Sequence, residues 1–465
     1  MSVETADRLI DEKGNKRNPL SSKPKYTSFE QMKGVKALNL SRADIRSLPK
    51  SLSEMKNLRA LILHGCTSLK KLPCLANLRE LQVLDLSHTV IEELPPGTEE
   101  LVNLRCLRLS HTPCLKVFRS GVLSNFLSLE ELSMRESRWV WTSEAQGAQV
   151  DEIATLTNLS ELELKLADWS DLVQCMSPEH RKDLKRFSLT VGFWGPVRTQ
   201  GVGDNTVVVC GCDLTGAGRR LVLPDKTLQL VLQNCQLPES MSLSNMEQLK
   251  DCYMQRCHRM EWLTIVNDGE TRPALPNLEK LEINWLPDVM SLYKGLVTPG
   301  TLANLKILTI RHCHKLMNLF STELLKQLQS LEKISVSDCY MMEELVAGGD
   351  VGETVVLPKL KTFSLRYLSK LKTVFRGKLI CESLESVEVD QCPVLKKLPL
   401  ADNELPPMLK VILGSKKWWG GLEWDSPNAN TVLLPLLHPL CDEEFEEEEE
   451  QSCINEEQKE ETVWH

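Results

Sequence analysis

A nine-residue pattern of leucines recurs along most of this chain and constrains its fold more than any other feature. The pattern is L-x-x-L-x-L-x-x-(small or Cys), as in VKALNLSRA, LRALILHGC, LKILTIRHC and LEKISVSDC. Its fourteen copies begin at residues 35, 58, 81, 104, 129, 159, 184, 227, 249, 278, 305, 331, 360 and 384. One copy cannot bury its own apolar side chains, so consecutive copies are expected to stack.

The L-x-L pair within each copy predicts a short β-strand. Side chains alternate between the two faces of a strand, so the leucines point inward and the residues between them face solvent. Leu-Pro pairs such as Leu48-Pro49 and Leu94-Pro95 follow many copies, and proline stops a helix from continuing there. The sequence therefore predicts an α/β solenoid: a leucine-rich-repeat horseshoe with a concave parallel sheet of about fourteen short strands and an irregular convex side.

The slot three residues after the second strand leucine holds cysteine in six copies. The six are Cys66, Cys235, Cys257, Cys313, Cys339 and Cys392. We interpret the slot as a core position for a small, weakly hydrogen-bonding side chain, because buried cysteine behaves as a small hydrophobe. Zinc sites need clustered pairs such as C-x-x-C, which this sequence lacks, and the strand register sends the side chains of His312, Cys313 and His314 in different directions. We therefore predict no metal site.

The segments outside the repeats suggest the domain limits. We predict a polar lead-in over 1–34, the solenoid over 35–408 and an irregular insertion at 193–226, which could instead hide a degenerate repeat or a hairpin. A Trp-rich C-terminal cap is expected over 409–441, with Trp418, Trp419 and Trp424 as packing residues. Residues 442–465 contain twelve acids and a single lysine, which predicts a disordered acidic tail.

Charge and missing motifs exclude several function classes. The chain carries a net charge of −9, of which the tail contributes −11, so the remainder is near neutral and a general nucleic-acid binder is not expected. No apolar run could span a membrane, and the charged N-terminal segment does not resemble a secretory signal, which favours the cytoplasm. Nucleotide-binding and hydrolase motifs are lacking as well. We therefore predict a protein that is not an enzyme and uses no cofactor.

The register also predicts which side chains face the concave side. In the first half of the chain they are mostly charged or histidine: His64, Asp85, His88, Arg108, His111, Arg135, Glu136, Glu163 and Lys165. The second half adds the residue types that contribute most of the binding energy at protein interfaces. From it we select seven candidate protein-binding residues: Tyr253, Arg256, Trp285, Arg311, His312, Arg366 and Tyr367.

Several segments resemble a known family. ALNLSRADIRSLP, LQVLDLSHTVIEELP, LKILTIRHCHKLMNLF and the closing WW-GL-W segment resemble the repeat region of plant nucleotide-binding leucine-rich-repeat disease-resistance proteins of the coiled-coil class, over residues 30–428. The resemblance implies that the repeats sense a pathogen effector or a modified, guarded host protein, and that they restrain the nucleotide-binding module of a receptor. Residues 1–30 are too few for that module, so we expect a receptor fragment or a repeat-only paralogue.

Two other readings belong to a different functional class. The chain could be an intracellular leucine-rich-repeat signalling scaffold, or a substrate-recognition arm of a ubiquitin ligase. Regular 23-residue spacing would favour a scaffold, but only the first few copies keep it. No adaptor-binding helical motif precedes Val35, which argues against the ubiquitin-ligase arm. The prediction is thus a non-catalytic protein-recognition module of plant innate immunity.

Overall fold

A computed structural model describes most of the chain. The described residues are 29–143, 147–176, 178–192, 203–218, 221–243, 246–264, 273–292, 297–350, 352–398, 406–424 and 429–440. Most of the predicted lead-in and the whole acidic tail lie outside them. The chain divides into two compact units, Met1–Leu305 and Lys306–His465.

The described residues of the first unit form thirteen strands. They are β1 (Ala37–Asn39), β2 (Ala60–Ile62), β3 (Val83–Asp85), β4 (Cys106–Arg108), β5 (Glu131–Ser133), β6 (Glu161–Leu166), β7 (Arg186–Gly192), β8 (Thr206–Cys210), β9 (Gln229–Gln233), β10 (Ser240–Ser242), β11 (Asp251–Gln255), β12 (Trp262–Thr264) and β13 (Lys280–Asn284). All except β10 and β12 form one parallel sheet in chain order. The strands β10 and β12 pair with each other in parallel.

Ten strands are present in the part of the second unit that the structure describes. They are β14 (Ile307–Arg311), β15 (Phe320–Ser321), β16 (Lys333–Ser337), β17 (Val346–Ala347), β18 (Thr354–Val356), β19 (Thr362–Arg366), β20 (Lys378–Ile380), β21 (Ser386–Asp390), β22 (Val411–Gly414) and β23 (Leu437–Pro439). A parallel sheet runs in the order β14, β16, β19, β21, β22, β23. Short parallel pairs join β15 to β17 and β18 to β20.

The predicted register is confirmed along these sheets. Burial alternates along many of the strands, as in β13, where Leu281 and Ile283 are buried and the residues between and beside them are partly exposed. The leucines of successive repeats therefore share one core. The other face carries polar side chains over much of its length and an apolar row of Ala37, Ala60, Val83 and Cys106 on β1 to β4. Stacking gives each inner strand of a sheet two neighbours, and these satisfy the backbone groups that an isolated strand would leave unpaired.

The sheet strands of the described residues outnumber the predicted fourteen, because three strands lack the full leucine pattern. Strand β8 lies inside the predicted irregular insertion and pairs in parallel with both β7 and β9. This parallel pairing is the arrangement that the degenerate-repeat alternative predicts. Residues 219 and 220 of the hairpin alternative lie outside the described residues. Strands β22 and β23 lie in the segment predicted as a cap and extend the sheet past residue 408. Strand pairing uses backbone N–H and C=O groups, so the sheet extends through segments that lack the leucine pattern.

The convex side is made of short turns of helix, as the Leu-Pro pairs predict. The helices are α1 (Val150–Ala154), α2 (Trp169–Cys175), α3 (Pro178–Asp183), α4 (Thr322–Gln327), α5 (Lys416–Gly420) and α6 (Ala429–Leu433). Single 3-10 turns cover Glu30–Met32, Lys50–Glu54, Thr98–Glu100, Leu123–Asn125 and Leu434–Leu436. Over the described ranges, no helix has the length and apolar character that a membrane span requires.

The cysteines of the repeated slot occupy the core. None of the six is more than 1% exposed, and their thiols donate to backbone carbonyl oxygens, as from Cys66 Sγ to Leu40 O at 3.1 Å and from Cys392 Sγ to Asp390 O at 3.3 Å. In other repeats a threonine hydroxyl does the same, from Thr89 Oγ1 to Leu86 O at 2.7 Å. Burial raises the pKa of Cys392 to about 12. Where the slot holds cysteine or threonine, the buried side chain therefore donates one hydrogen bond at the point where the chain turns.

Strand β7 continues past its leucine pair, and Gly192 ends it instead of filling the small core slot. Gly192 has a φ of 92°, and a Cβ atom on it would lie 1.9 Å from the carbonyl oxygen of Cys210. In the register, Leu189 pairs with Val207. The position thus requires glycine because the neighbouring backbone approaches too closely for a side chain.

The tryptophans near the C-terminus pack as expected. Trp418 and Trp419 are each 7% exposed. The indole of Trp418 donates to Leu395 O at 3.0 Å, and that of Trp419 donates to Asn430 Oδ1 at 3.1 Å. Trp424 lies against Trp419, with ring centroids 5.2 Å apart. Their polar atoms are used within the fold, which is typical of packing residues.

Candidate functional site

A residue in left-handed backbone conformation follows almost every sheet strand. The thirteen are Arg42, Gly65, His88, His111, Glu136, Gly211, Asn234, Arg256, Trp285, His312, Asp338, Tyr367 and Gln391, with φ between 49° and 72°. Eleven of them carry side chains, for which this conformation is unfavourable. We call this the exit position. Four of the seven candidate binding residues occupy it, which the leucine pattern did not indicate.

A backbone hydrogen-bond ladder explains why the exit position tolerates this conformation. The exit amide donates to the carbonyl oxygen just before the exit residue of the next repeat, as from Arg42 to His64 at 2.7 Å, Arg256 to Asn284 at 2.9 Å and Asp338 to Arg366 at 3.1 Å. Each repeat therefore holds the next one at the edge of the concave face. The ladder, and not the conformational preference of the residue itself, therefore sets the direction of the side chain at the exit position.

In the first unit, three candidate residues lie on two adjacent strands. Tyr253 is in the centre of β11 with its ring partly exposed, and its hydroxyl donates to Gln255 Oε1 at 2.7 Å. Arg256 and Trp285 occupy successive exit positions after β11 and β13. The structure thus places arginine and tryptophan next to each other at one edge of the concave face, about one strand spacing of 4.8 Å apart. Tyrosine lies about 10 Å back along β11 from the arginine.

In the second unit, four candidates end two strands that have β16 between them. Arg311 is the last residue of β14 and His312 follows it, while Arg366 is the last residue of β19 and Tyr367 follows it. The guanidinium of Arg366 lies 5.7 Å from the centroid of the Tyr367 ring, and its Nε is 3.6 Å from Glu388 Oε1. A cation over an aromatic face orients both groups. This arrangement leaves Arg366 partly exposed and held in place.

His312 faces an acidic exit residue from the neighbouring repeat. Its Nε2 lies 4.0 Å from Asp338 Oδ2. Burial lowers the pKa of His312, while the charge of Asp338 opposes that shift. The concave edge of the second unit therefore alternates basic, acidic and aromatic groups over three successive strands.

The first half of the concave face carries a buried charge cluster that the leucine pattern did not indicate. Arg108 donates from Nε to Glu131 Oε1 at 2.6 Å and from Nη2 to Glu131 Oε2 at 2.9 Å. Its Nη1 is 3.9 Å from Asp85 Oδ2. Asp85 and Glu131 are 6% and 9% exposed. A bidentate arginine pair is the geometry that keeps two carboxylates stable in such a position.

A polar cavity of about 200 Å³ opens beside this pair. Its lining residues are Arg108, Glu131, Leu132, Ser133, Glu161, Leu162, Glu163, Arg186, Phe187 and Asp204. Arg186 pairs with Glu161 at 2.5 Å, and Glu163 accepts from Ser133. The cavity has two cations and four carboxylates, so its excess charge is negative.

Three histidines from consecutive repeats stack along the N-terminal part of this face. The His88 and His111 ring centroids are 4.2 Å apart and nearly parallel at 16°, and His64 meets His88 edge-on at 5.0 Å. His111 Nδ1 lies 3.0 Å from Glu136 Oε2. Among the residues with described coordinates, no three His, Cys, Asp or Glu side chains are grouped as a metal ion requires.

Family comparisons agree with the repeat architecture. A family model described as plant disease resistance protein RPS2-like leucine-rich repeats matches residues 221–340 and 277–401. A second model, described as a leucine-rich repeat region, matches residues 26–186.

Curated relatives come from Arabidopsis thaliana. Disease resistance protein At4g27190 is 30% identical over 430 residues, which cover 87% of this chain and 42% of that protein. Probable disease resistance protein At4g27220 is 34% identical over 383 residues, covering 78% and 41%. The chain thus spans about two fifths of the length of these relatives. Among solved structures, the functional domain of InlJ from Listeria monocytogenes aligns with a TM-score of 0.41 and 13% identity, covering 83% of this chain and 68% of that one.

Proposed function

Because this chain belongs to the leucine-rich-repeat proteins, with repeats of the plant disease-resistance type, we propose that it is a non-catalytic protein-recognition module of plant defence. Its concave surface would bind a pathogen effector, a guarded host protein or the nucleotide-binding module of a receptor. A cytoplasmic location is part of the proposal. The cysteines within the described ranges are thiols, which is typical of a reducing compartment.

One observation carries the proposal. Arg256 and Trp285 occupy neighbouring exit positions, and Tyr253 lies three residues before Arg256 on β11. The Arg256 amide donates to Asn284 O, and this bond joins the two exit positions. Tyrosine, tryptophan and arginine dominate the energy of protein interfaces, especially when they are held rigidly. Arg366 and Tyr367 form a comparable pair in the second unit.

The test uses the full chain with Tyr253, Arg256 and Trp285 changed to alanine. The probe is a set of candidate proteins co-expressed one at a time: effectors, their host targets and nucleotide-binding modules of related receptors. A partner that binds through this edge should lose at least about 2 kcal/mol of binding free energy, equal to about thirtyfold in Kd.

The matched control changes exposed apolar residues away from the concave face. Leu127 is 65% exposed and Val102 is 50% exposed, and both precede a sheet strand. Alanine at these positions should leave Kd unchanged. If a partner binds the triple variant and the wild type equally well, this edge is not the binding site.

A further inference from the structure

Apolar side chains are exposed on the loops that follow the strands of the second unit. Tyr340 and Met341 follow β16, and Met317 lies in the loop after β14; they are 41%, 45% and 57% exposed. The Tyr340 ring stacks on His314, with centroids 4.7 Å apart and an interplanar angle of 2°. The amide of Met341 donates to His314 O at 3.2 Å. We call His314, Met317, Tyr340 and Met341 the flank patch.

The loops around the flank patch are basic. The loops 312–319, 338–345, 367–376, 391–398 and 415–424 together hold eight lysines and arginines and four carboxylates. Lys370 Nζ lies 3.1 Å from Met341 Sδ. Lys372 pairs with Glu343 at 2.6 Å and Lys396 pairs with Glu423 at 3.1 Å, with every partner at least half exposed. Exposed pairs of this kind are weak. The loops therefore keep a positive electrostatic potential, which attracts a segment that carries many carboxylates.

The last described residues lead the chain to this same flank. Parallel strands place their carboxyl ends at one edge of a sheet, and Leu440 follows β23 there, donating to Gly414 O at 3.1 Å. Four strand steps separate β23 from β16, or about 19 Å at about 4.8 Å each. Position 445 is five residues beyond Leu440, a reach of about 17 Å in extended chain. The backbone reach falls short of the distance by about 2 Å, which is less than the length of an aromatic side chain. An aromatic residue at 445 can therefore meet the flank patch when the segment is extended.

The sequence has such a residue within a strongly acidic run. The segment DEEFEEEEE covers 442–450 and has phenylalanine at 445 between eight acids. We propose that residues 442–450 bind across the flank of their own chain, with Phe445 against Met341 and Tyr340 and the glutamates beside Lys370, Lys372 and Lys396. Methionine and aromatic rings attract each other, and tethering gives weak charge pairs a high effective concentration. This inference is independent of the proposed function.

Photo-crosslinking in the full chain tests the proposal. Phe445 is replaced by p-benzoylphenylalanine, the dilute protein is irradiated, and adducts are mapped by mass spectrometry. The expected result is an adduct within one chain on Met341 or Tyr340. Its yield should fall at least about fivefold between about 50 mM and 500 mM salt, because salt screens exposed charges.

Charge reversals supply a matched pair of variants. Lys372→Glu with Lys396→Glu should reduce the adduct at least about fivefold by removing the attraction. Lys361→Glu with Lys410→Glu is the control, since those lysines are comparably exposed and also paired with glutamates, but lie before β19 and β22 at the opposite edge. An equal loss in the control, adducts between two chains, adducts at the opposite edge, or no adduct would each overturn the proposal.

Discussion

The backbone amide of Tyr367 donates a 3.0 Å hydrogen bond to the carbonyl oxygen of Asp390, and Tyr367 does so from a left-handed conformation with a φ of 52°. The same relationship recurs between most neighbouring repeats. Each of these repeats thus holds one residue in an unfavourable conformation, and the amide of that residue donates a backbone hydrogen bond to the next repeat. The exit position consequently presents side chains at the concave edge whose direction depends on the neighbouring repeat.

The strain at the exit position can be measured at Gln391. This exposed residue has a φ of 49°, a conformation that costs non-glycine residues about 1–2 kcal/mol. Gln391→Gly should raise the free energy of unfolding by up to about 1 kcal/mol, since the greater entropy of an unfolded glycine offsets part of the gain. Gln391→Ile should lower it by about 1–2 kcal/mol. Urea unfolding checks both, with Ser386→Gly in β21 as a control that should destabilise. Equal effects of glycine and isoleucine at 391 would contradict strain there.

The Arg108 and Glu131 pair should be essential to the first unit. Arg108→Met leaves two buried carboxylates without their cation and should lower the free energy of unfolding by about 3–5 kcal/mol. Arg186→Met is the control, because Arg186 is half exposed in its pair with Glu161, and it should cost less than about 1 kcal/mol. Thermal unfolding compares the two. Adding Glu131→Leu to Arg108→Met should recover part of the loss; no recovery would mean that the buried charge is not the cause.

The histidine stack should respond to pH through His88. Burial, followed by the charges of His111 and His64, lowers the pKa of His88 below 6.5, while Asp85 and Glu136 oppose the shift. Because the folded pKa lies below the unfolded one, this group's contribution to stability is present above pH 6.5 and is lost as the pH falls through the folded pKa. NMR titration of the His88 ring should show a midpoint below 6.5. His111→Ala should raise that midpoint and Glu136→Gln should lower it; opposite signs would contradict the stacking.

The buried thiols should make the protein sensitive to alkali. Burial raises the pKa of Cys392 to about 12, from 9.0 for an ordinary thiol. A raised folded pKa contributes stability that is complete below pH 9 and is lost as the pH rises toward 12, by up to about 1.4 kcal/mol per pH unit for one thiol. Urea unfolding between pH 8 and 10.5 should show a shallower slope for Cys392→Ala than for the wild type. Removing the exposed thiol with Cys74→Ala should leave the slope unchanged.

The sequence correctly predicted strands and their outward-facing residues wherever the strand itself contains the leucine pattern. The alternation around Leu281 and Ile283 predicts which side chains face outward, and the structure agrees. It failed for β8, where TVVVC has valines in place of the leucine pair, and for β23, whose LHP sequence carries no such pattern. Those strands form because the backbones of neighbouring strands supply hydrogen-bond partners. The residue pattern within a strand gives no indication of such partners.

The binding role of the seven candidate residues stays a prediction. Their surroundings again show that some features follow from the sequence pattern and others only from the stacking of repeats. The register placed Arg256 and Trp285 outside the core; it did not indicate their left-handed backbone. Nothing in the local sequence pairs Arg108 with Glu131, since twenty-two residues separate them along the chain. Those pairings arise only when repeats stack.

The sequence by itself determined the repeat unit, the inward spine of leucines and the small core slot filled by cysteine, because each depends on side-chain spacing within a few residues. Only the tertiary structure decided the number of strands, the conformation of the exit residues and the partners of the concave charges. Those properties depend on groups brought to within a few ångströms by stacking, from positions one or more repeats apart in the chain.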